Sequence, residues 1–268
     1  MKMLLAQMTS VKDIHANLAA VQEFAQQASS HRCNLLVLPE MFAQFGVSDT
    51  TELAALETHF NGPVGRIIRS LAKEHGVWIV AGTVPVDAQD GERPKARCHV
   101  VDDQGELITF YDKIHLFDAT VGDTQGSYKE SDSYSYGREP VVFDSPWGRL
   151  GLAVCYDLRF PEVFRSLNDQ GAELVLLPSA FTYKTGKMHW DALIKARAIE
   201  NGYFVAGVNQ TGQHDEKRQT WGHSQLVHPN GTVDTLVEDV DALIVEVDFS
   251  EVSEFRSAVP VNQHRRLS

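Results

Sequence analysis

The segment that best indicates the fold and the chemistry of this chain is Gly151-Leu-Ala-Val-Cys-Tyr-Asp-Leu-Arg-Phe-Pro-Glu162. Small and apolar residues lead into Cys155, and a turn follows, with an amphipathic segment that starts at Pro161. This order predicts a buried strand, a sharp turn and a helix, with the thiol at the carboxyl end of the strand, where open α/β sheets collect ligands. A nearby helix N-terminus favours the thiolate. By itself, however, a free cysteine is more often a small buried hydrophobe than a nucleophile.

Similar strand patterns occur in both halves of the chain. Leu35-Leu-Val-Leu-Pro-Glu40 and Leu174-Val-Leu-Leu-Pro-Ser179 are apolar segments that end in proline and a polar residue. Helical spacing of apolar residues, with Asp13 as the first cap, predicts helices over residues 14–30, 63–75 and 188–201. Alternating strands and helices predict parallel neighbours. Because no linker rich in Pro, Gly or Ser divides the chain, we expect residues 1–268 to form one α/β domain with two sheets.

Turn residues predict three β-hairpins and three loops. The hairpin turns are Asp103-Gln-Gly105, Ser145-Pro-Trp-Gly148 and Pro229-Asn-Gly231. Loops are expected at residues 119–140, 181–187 and 209–220. The first of these is long and almost free of aliphatic residues, and such loops in compact domains are usually functional or disordered.

The composition excludes several classes of function. Of the 268 residues, 43% are hydrophobic and 22% are charged, as in soluble globular proteins. The formal net charge of −12 argues against a nucleic-acid partner and against an anionic membrane surface. The apolar run at the N-terminus is too short for a signal peptide, and no later run approaches the length of a membrane span. The three cysteines do not suggest a disulfide framework, so we expect a reducing, cytoplasmic location.

Three short motifs carry a resemblance to a known family. They are Leu36-Val-Leu-Pro-Glu-Met-Phe42, Tyr111-Asp-Lys-Ile-His-Leu-Phe117 and Leu152-Ala-Val-Cys-Tyr-Asp-Leu-Arg-Phe160. In this order and with these separations, the chain resembles the nitrilase, or carbon–nitrogen hydrolase, superfamily nearly from end to end. The resemblance implies a four-layer α-β-β-α sandwich, in which two mixed sheets are flanked by helices. It also implies a homodimer or higher homo-oligomer whose subunits pair through helices near the nucleophile and through the C-terminal tail.

The resemblance further implies a Glu-Lys-Cys site whose chemistry follows from its groups. Cys155 is expected to attack an amide carbonyl and form a thioester with loss of ammonia. Glu40 is the candidate general base, because burial can raise the pKa of a carboxylate toward neutrality. Lys113 and the backbone N–H after Cys155 are expected to stabilise the oxyanion. Glu130, within Tyr128-Lys-Glu-Ser131, takes the place of a second family glutamate that would hold Lys113 in position.

Each of these residues also has a purely structural alternative. Glu40 could cap the turn after its strand, Lys113 could be a solvated lysine, and Glu130 could be an exposed loop residue. Cys155 could be inert core, and the whole chain could be a catalytically silent relative kept as a scaffold. The presence of all three catalytic residue types favours the enzyme. The reaction requires no metal or organic cofactor, and no cluster in the sequence is spaced like a metal site.

Further segments narrow the substrate class. Pro178-Ser-Ala-Phe181 and Lys195-Ala-Arg-Ala-Ile-Glu-Asn201 are similar to the branch that hydrolyses small ω-amides of keto acids. Within that branch, His214-Asp-Glu-Lys-Arg218 and Trp221-Gly-His-Ser224 are similar to enzymes that act on deaminated glutathione, N-(4-oxoglutaryl)-L-cysteinylglycine, in metabolite repair. This implies an amidase for that compound, with 2-oxoglutaramate and N-carbamoyl amino acids or amines as alternative substrates. Residues 183–188 are bulkier than the branch pattern, which leaves the distal end of the substrate open.

Four residues are candidates for binding the small-molecule substrate: Tyr156, Arg159, Phe181 and Lys184. Arg159 and Lys184 are chosen because deaminated glutathione carries two carboxylates, and arginine binds carboxylates in bidentate fashion. A structural or surface ion pair is the alternative for both. Because the overall charge would repel such an anion, a local positive pocket is expected.

Overall fold

The computed structural model describes residues 1–236 and 241–266. The strands are β1 Lys2–Ala6, β2 Leu35–Val37, β3 Trp78–Val86, β4 Lys95–Val101, β5 Leu107–Asp112, β6 Asp118–Thr120, β7 Ser127–Lys129, β8 Val141–Asp144, β9 Arg149–Leu152, β10 Leu174–Ser179, β11 Phe204–Asn209, β12 Thr211–Gln213, β13 Gln219–Trp221, β14 Gln225–Val227, β15 Val233–Thr235 and β16 Ala242–Glu246. The α-helices are α1 Ile14–Ser30, α2 Thr51–Leu56, α3 Pro63–His75, α4 Pro161–Asp169, α5 Tyr183–Asn201, α6 Ser250–Ala258 and α7 Val261–His264. Two 3₁₀ turns span Glu130–Asp132 and Cys155–Arg159.

Two six-stranded mixed sheets form the centre of the molecule. The first has the strand order β16-β1-β2-β3-β4-β5, and the second has the order β15-β14-β11-β10-β9-β8. Strands β1, β2 and β3 run parallel, as do β9, β10 and β11, and the outer neighbours in both sheets are antiparallel. Both sheets therefore repeat one β-α-β-α-β pattern with antiparallel strands on either side. Together with the flanking helices they confirm the predicted α-β-β-α sandwich of two mixed sheets.

The alternating faces of β2 show how the layers pack. Leu35 and Val37 belong to a hydrophobic core that they share with Leu152 and Leu176 of the second sheet. Leu36 points to the opposite face, because successive strand residues alternate, and it joins a separate core formed with α1 and α3. Burial of one such leucine contributes about 2 kcal/mol. The strands that are apolar on both faces are thus those that lie between a helix layer and the other sheet.

Local signals in the sequence set the bounds of two helices. Asp13 accepts hydrogen bonds from the backbone N–H groups of His15 at 2.9 Å and Ala16 at 3.4 Å, and α1 begins at the next residue, as predicted. Helix α3 begins at Pro63 and ends before Gly76, whose φ of 60° is the left-handed conformation that glycine adopts most readily. No helix among the described residues is long and apolar enough to cross a membrane.

Three predicted loops contain regular structure. Residues 119–140 include most of the β6–β7 pair, and residues 209–220 include most of the β12–β13 pair. These strands are short and polar, so they lack the apolar alternation from which strands are predicted. Helix α5 begins at Tyr183 rather than at Met188, because Thr182 accepts a hydrogen bond from the Thr185 N–H and caps the helix. The first turn also packs on Trp221, against which a Cβ at position 186 would lie 2.2 Å away.

Candidate active site

The site lies where the central parallel strands of the two sheets end. Glu40 follows β2 in the first sheet, Cys155 follows β9 in the second, and Lys113 directly follows β5. With Glu130 they line one cavity of about 290 Å³. The structure therefore brings together the four residues that the sequence predicted to be catalytic.

The ammonium group of Lys113 lies between two buried carboxylates. Its Nζ is 2.6 Å from Oε1 of Glu40, and 2.9 and 2.8 Å from Oε1 and Oε2 of Glu130. Oε2 of Glu130 also accepts the N–H of Phe117 at 2.6 Å. Glu40 and Lys113 are each only 2% exposed. Because a buried ion cluster of this kind adds little to stability, its presence points to function.

The charges of this cluster are coupled. Burial alone would lower the pKa of Lys113, but the carboxylates of Glu130 and Glu40 outweigh it and hold the pKa of Lys113 well above its usual value. Burial raises the pKa of Glu130, and the nearby ammonium opposes that rise. Lys113 therefore remains an ammonium at neutral pH and can serve as a fixed hydrogen-bond donor.

Cys155 is held in an unusual backbone conformation. Its φ of 45° is left-handed, although the preceding Val154 is extended. For a residue other than glycine this costs roughly 1–2 kcal/mol, and such strain is found at functional sites where the surroundings enforce it. The turn directs a thiol that is 8% exposed into the cavity of Glu40 and Lys113.

The surroundings of Cys155 favour the protonated thiol over the thiolate. Burial, and next the Glu40 carboxylate, raise the pKa of Cys155 well above its usual value, although Lys113 and the backbone N–H of Ala180 act in the opposite direction. The sequence suggested that a helix N-terminus favours the thiolate, but the 3₁₀ turn separates Cys155 from the start of α4 at Pro161. The proton must therefore be removed by a base, and the Glu40 carboxylate in the same cavity is the candidate.

Asp157 connects the turn that carries Cys155 to the segment on either side of Lys113, and the sequence analysis did not identify it. We call the first the nucleophile turn, Cys155–Arg159, and the second, residues 111–115, the lysine loop. Its Oδ2 accepts the Val154 N–H at 2.8 Å and the Tyr111 hydroxyl at 2.7 Å. Its Oδ1 accepts the His115 N–H at 3.1 Å and lies 2.8 Å from Nδ1 of His115. The side chain is fully buried. The available signal was an aspartate two residues after the candidate nucleophile, since buried carboxylates require partners.

The backbone around Glu40 depends on two further residues that sequence reasoning missed. Met41 has a φ of 56°, and its N–H donates to Oγ1 of Thr83 at 2.9 Å. A Cβ at Gly82 would lie 1.8 Å from the carbonyl oxygen of Pro39, so only glycine lets β3 pass this close. Gly82 and Thr83 both lie inside the apolar strand β3. A glycine in the interior of a strand indicates that another backbone approaches closely, so Gly82 carried a signal in the sequence and Thr83 did not.

The candidate substrate-binding residues divide between two places. Tyr156, Arg159 and Phe181 line a small cavity of about 20 Å³ that adjoins Cys155. The Arg159 guanidinium carbon lies 5.4 Å from the centre of the Phe181 ring and 5.9 Å from that of Tyr156. Lys184 lies in a separate surface cavity, where its Nζ donates to the carbonyl of Gly122 at 2.9 Å.

Two cations that were not predicted line the cavity of Cys155. They are Lys129 and Arg218. Both stand in motifs that carried the family resemblance, Tyr128-Lys-Glu-Ser131 and His214-Asp-Glu-Lys-Arg218, but within segments predicted to be loops, where the pattern does not show which side chains face a cavity. In the part of the chain that the structure describes, no three His, Cys, Asp or Glu side chains gather in a way that could hold a metal ion.

Comparisons with known proteins agree on one family. A family model described as carbon-nitrogen hydrolase matches residues 5–257. A deaminated glutathione amidase of Yersinia enterocolitica is 39% identical over 265 residues, which are 98% of this chain and 92% of that protein. Saccharomyces cerevisiae Nit3, a member of branch 10 of the nitrilase superfamily, matches with a TM-score of 0.86 at 28% identity, over 100% of this chain and 97% of that one. A mutant amidase from Nesterenkonia sp. AN1, with acrylamide added at its active site cysteine, matches with a TM-score of 0.78 at 26% identity, over 98% of this chain and 99% of that one.

Proposed function

The chain belongs to the carbon–nitrogen hydrolase family and is a hydrolase of non-peptide carbon–nitrogen bonds, and we propose that it cleaves a small-molecule amide through a thioester on Cys155. One observation carries the proposal. The Lys113 ammonium is held by Glu40 and Glu130 in the cavity that the Cys155 thiol enters. A base, a cationic donor and a thiol in one cavity are the groups that acyl transfer needs.

In the first half of the reaction, Glu40 takes the proton of the Cys155 thiol as Sγ attacks the amide carbonyl. The carbonyl oxygen becomes an oxyanion, which the Lys113 ammonium and the backbone N–H of Tyr156 stabilise by hydrogen bonds. When the tetrahedral intermediate collapses, the carbon–nitrogen bond breaks and Glu40 returns the proton to the leaving nitrogen. The products of this half are a thioester on Cys155 and a free amine.

In the second half, Glu40 removes a proton from a water molecule that attacks the thioester. The carbon–sulfur bond breaks, the thiol regains its proton from Glu40, and the carboxylic acid is released. Glu130 acts as a positioning residue, because both of its oxygens contact Nζ of Lys113 while one also accepts the Phe117 N–H. It keeps the ammonium aimed at the oxyanion through both halves.

We propose deaminated glutathione as the substrate, supported by the relatives that carry this activity in their names. Its one non-peptide amide joins the oxoglutaryl group to cysteinylglycine, so hydrolysis gives 2-oxoglutarate and cysteinylglycine. Ammonia, the leaving group expected from the sequence, would be released only from a primary amide such as 2-oxoglutaramate, the alternative substrate. N-carbamoyl compounds are a further alternative.

The test uses the fact that both leading substrates yield 2-oxoglutarate. Release of this product from deaminated glutathione and from 2-oxoglutaramate gives kcat/KM for each in a single assay. A preference of about tenfold or more for deaminated glutathione, worth about 1.4 kcal/mol of transition-state stabilisation, supports the assignment. The reverse preference would make 2-oxoglutaramate the substrate.

Two variants test the mechanism in the same assay. Cys155→Ala should lose at least about a thousandfold in kcat, because the thioester cannot form. Cys33→Ala, which removes a buried thiol outside the cavity, is the matched control and should retain activity. Glu40→Gln should also lose activity, and mass spectrometry should show no acyl adduct accumulating on Cys155, because both the formation and the hydrolysis of the thioester then lack their base. Full activity of Cys155→Ala would refute the mechanism.

We further propose one domain, a homodimer and a cytoplasmic location. The single domain is supported by the core that both sheets share and by the family match across residues 5–257.

The dimer is supported by apolar side chains left exposed on α5, at Met188 and Ile199. Light scattering during gel filtration tests it. The location is supported by three cysteines that are all unpaired thiols.

A further inference from the structure

Two cavities meet at Cys155, and they differ in their polar groups. Phe117, Cys155, Ala180 and Thr182 line both of them. The larger cavity also contains Glu40, Lys113 and Arg218, whereas the smaller contains Arg159 between aromatic rings. The smaller cavity, of about 20 Å³, has room for about one water molecule, so the larger one, of about 290 Å³, must hold most of an amide bound at Cys155.

The position of Glu40 decides which side takes the amine. In the proposed mechanism Glu40 protonates the leaving nitrogen, so that nitrogen must lie within hydrogen-bond reach of its carboxylate. Glu40 lines the larger cavity and is absent from the lining of the smaller one. The leaving amine therefore lies in the larger cavity.

Arg218 is the cation best placed to bind an anionic group on that amine. Its Nη1 is held by Oδ2 of Asp215, which itself does not line the cavity. Within the described residues, Nε and Nη2 of Arg218 make no hydrogen bond. The side chain is 32% exposed, so it is partly desolvated, whereas the other unpredicted cation, Lys129, is 69% exposed and strongly hydrated.

A glycine allows the guanidinium to approach the cavity. Gly46 lines the cavity with a φ of 80°, and a Cβ there would lie 3.0 Å from Nη1 of Arg218 and 3.1 Å from Oδ2 of Asp215. Lys113 cannot perform the same task, because its ammonium already contacts two carboxylates and serves the oxyanion. An anion on the amine therefore finds its partner at Arg218.

We propose that Arg218 binds the terminal carboxylate of the amine leaving group, and so makes the enzyme selective for amides of carboxylate-bearing amines over primary amides. The proposal rests on the proposed function and extends it from the reacting bond to the distal end of the substrate. Arg218 is a specificity-determining residue, since a guanidinium fork pairs with a carboxylate through charge-assisted hydrogen bonds. In deaminated glutathione the group concerned is the glycine carboxylate.

The experiment compares deaminated glutathione with its analogue in which the glycine carboxylate is a carboxamide. The wild-type enzyme should prefer the carboxylate by about 10- to 100-fold in kcat/KM, the effect of one hydrogen-bonded charge. Arg218→Gln should erase most of that preference, and Arg218→Lys should keep part of it because the charge remains without the fork. Lys217→Gln removes the neighbouring positive charge, which is exposed and lines the surface cavity of Lys184 instead of the cavity of Cys155, and should keep the preference.

A binding measurement separates failure of this proposal from failure of the proposed function. Cysteinylglycine and cysteinylglycinamide are titrated into Cys155→Ala protein and into the Cys155→Ala, Arg218→Gln double variant by calorimetry. Weaker binding of the carboxamide in the first protein alone supports the subsite, even if deaminated glutathione is not turned over. Equal binding of both compounds to Cys155→Ala, or a wild-type preference that survives Arg218→Gln, overturns it.

Discussion

Replacing Asp157 with asparagine is expected to disconnect the nucleophile turn from the lysine loop. The carboxylate accepts two donors on Oδ2, from Val154 and Tyr111, and faces the His115 N–H and Nδ1 with Oδ1. Asparagine offers one acceptor oxygen, and its NH₂ group must face backbone or hydroxyl donors in either orientation. At least one hydrogen bond to a charged acceptor is lost, and buried donors are left unpaired.

The magnitude follows from the number of bonds affected. Each hydrogen bond to a charged group contributes about 1.5–3 kcal/mol, and a buried unpaired donor costs a similar amount. Because the side chain is fully buried, water cannot replace the lost partners. We expect Asp157→Asn to lower the free energy of unfolding by about 3–5 kcal/mol. We also expect kcat to fall by about 100-fold, since a displacement of about 1 Å at the reacting groups has an effect of that size.

The assay combines stability with three readouts of the site. Urea unfolding gives the loss of stability, and kcat is measured separately from KM in buffer in which the variant remains folded. The rate of Cys155 alkylation against pH reports the proton affinity of the thiol, which a purely structural role would not shift. Asp144→Asn is the matched control, because that side chain is 83% exposed and its ion pair with Arg149 should contribute less than about 1 kcal/mol. Asp157→Asn protein that matches this control in stability and keeps kcat within about threefold of wild type would refute the reasoning.

Three further predictions concern other parts of the molecule. Glu130→Gln removes a charge that raises the pKa of Lys113, so the alkaline limb of the profile of kcat against pH should move to lower pH and kcat should fall by about tenfold or more. Glu139→Gln, at an exposed position, is the control and should change neither the limb nor kcat. An alkaline limb that does not move in Glu130→Gln would contradict the role of Glu130. Gly82→Ala places a Cβ 1.8 Å from the Pro39 carbonyl and should cost about 3 kcal/mol in unfolding free energy together with activity. Gly76→Ala, whose Cβ would meet no atom within 4 Å, should cost only about 1 kcal/mol and leave activity intact. At His228, burial would lower the pKa, but Glu251 and Asp234 outweigh it and raise the pKa. The contribution of protonated His228 to the free energy of unfolding should therefore be complete below its ordinary pKa of 6.5 and fade as the pH rises through the raised value. The difference in unfolding free energy between wild type and His228→Gln should shrink with rising pH, and a constant difference would contradict this.

Much of the secondary structure could be predicted because its signals are local. Helix α1 has its capping aspartate, and α3 has its proline and glycine, so the predicted approximate bounds agree with the observed ones. The apolar strands β2 and β10 are buried on both faces and therefore lack polar alternation. The β6–β7 and β12–β13 pairs were missed because short polar strands carry no such pattern, and only pairing with a neighbour makes them strands.

The sequence by itself determined the fold class, the family resemblance and the identity of the candidate catalytic residues, because motifs and periodicity are written along the chain. Only the tertiary structure decided how those residues act. Glu40 and Lys113 are 73 positions apart, and the 2.6 Å contact between them exists because β2 and β5 run in the same direction in the first sheet and end at the same edge. The raised pKa of Cys155, the brace at Asp157 and the placement of Arg218 likewise depend on burial and on contacts between distant segments. Burial and electrostatics are properties of packed neighbours, and no local pattern in the sequence encodes them.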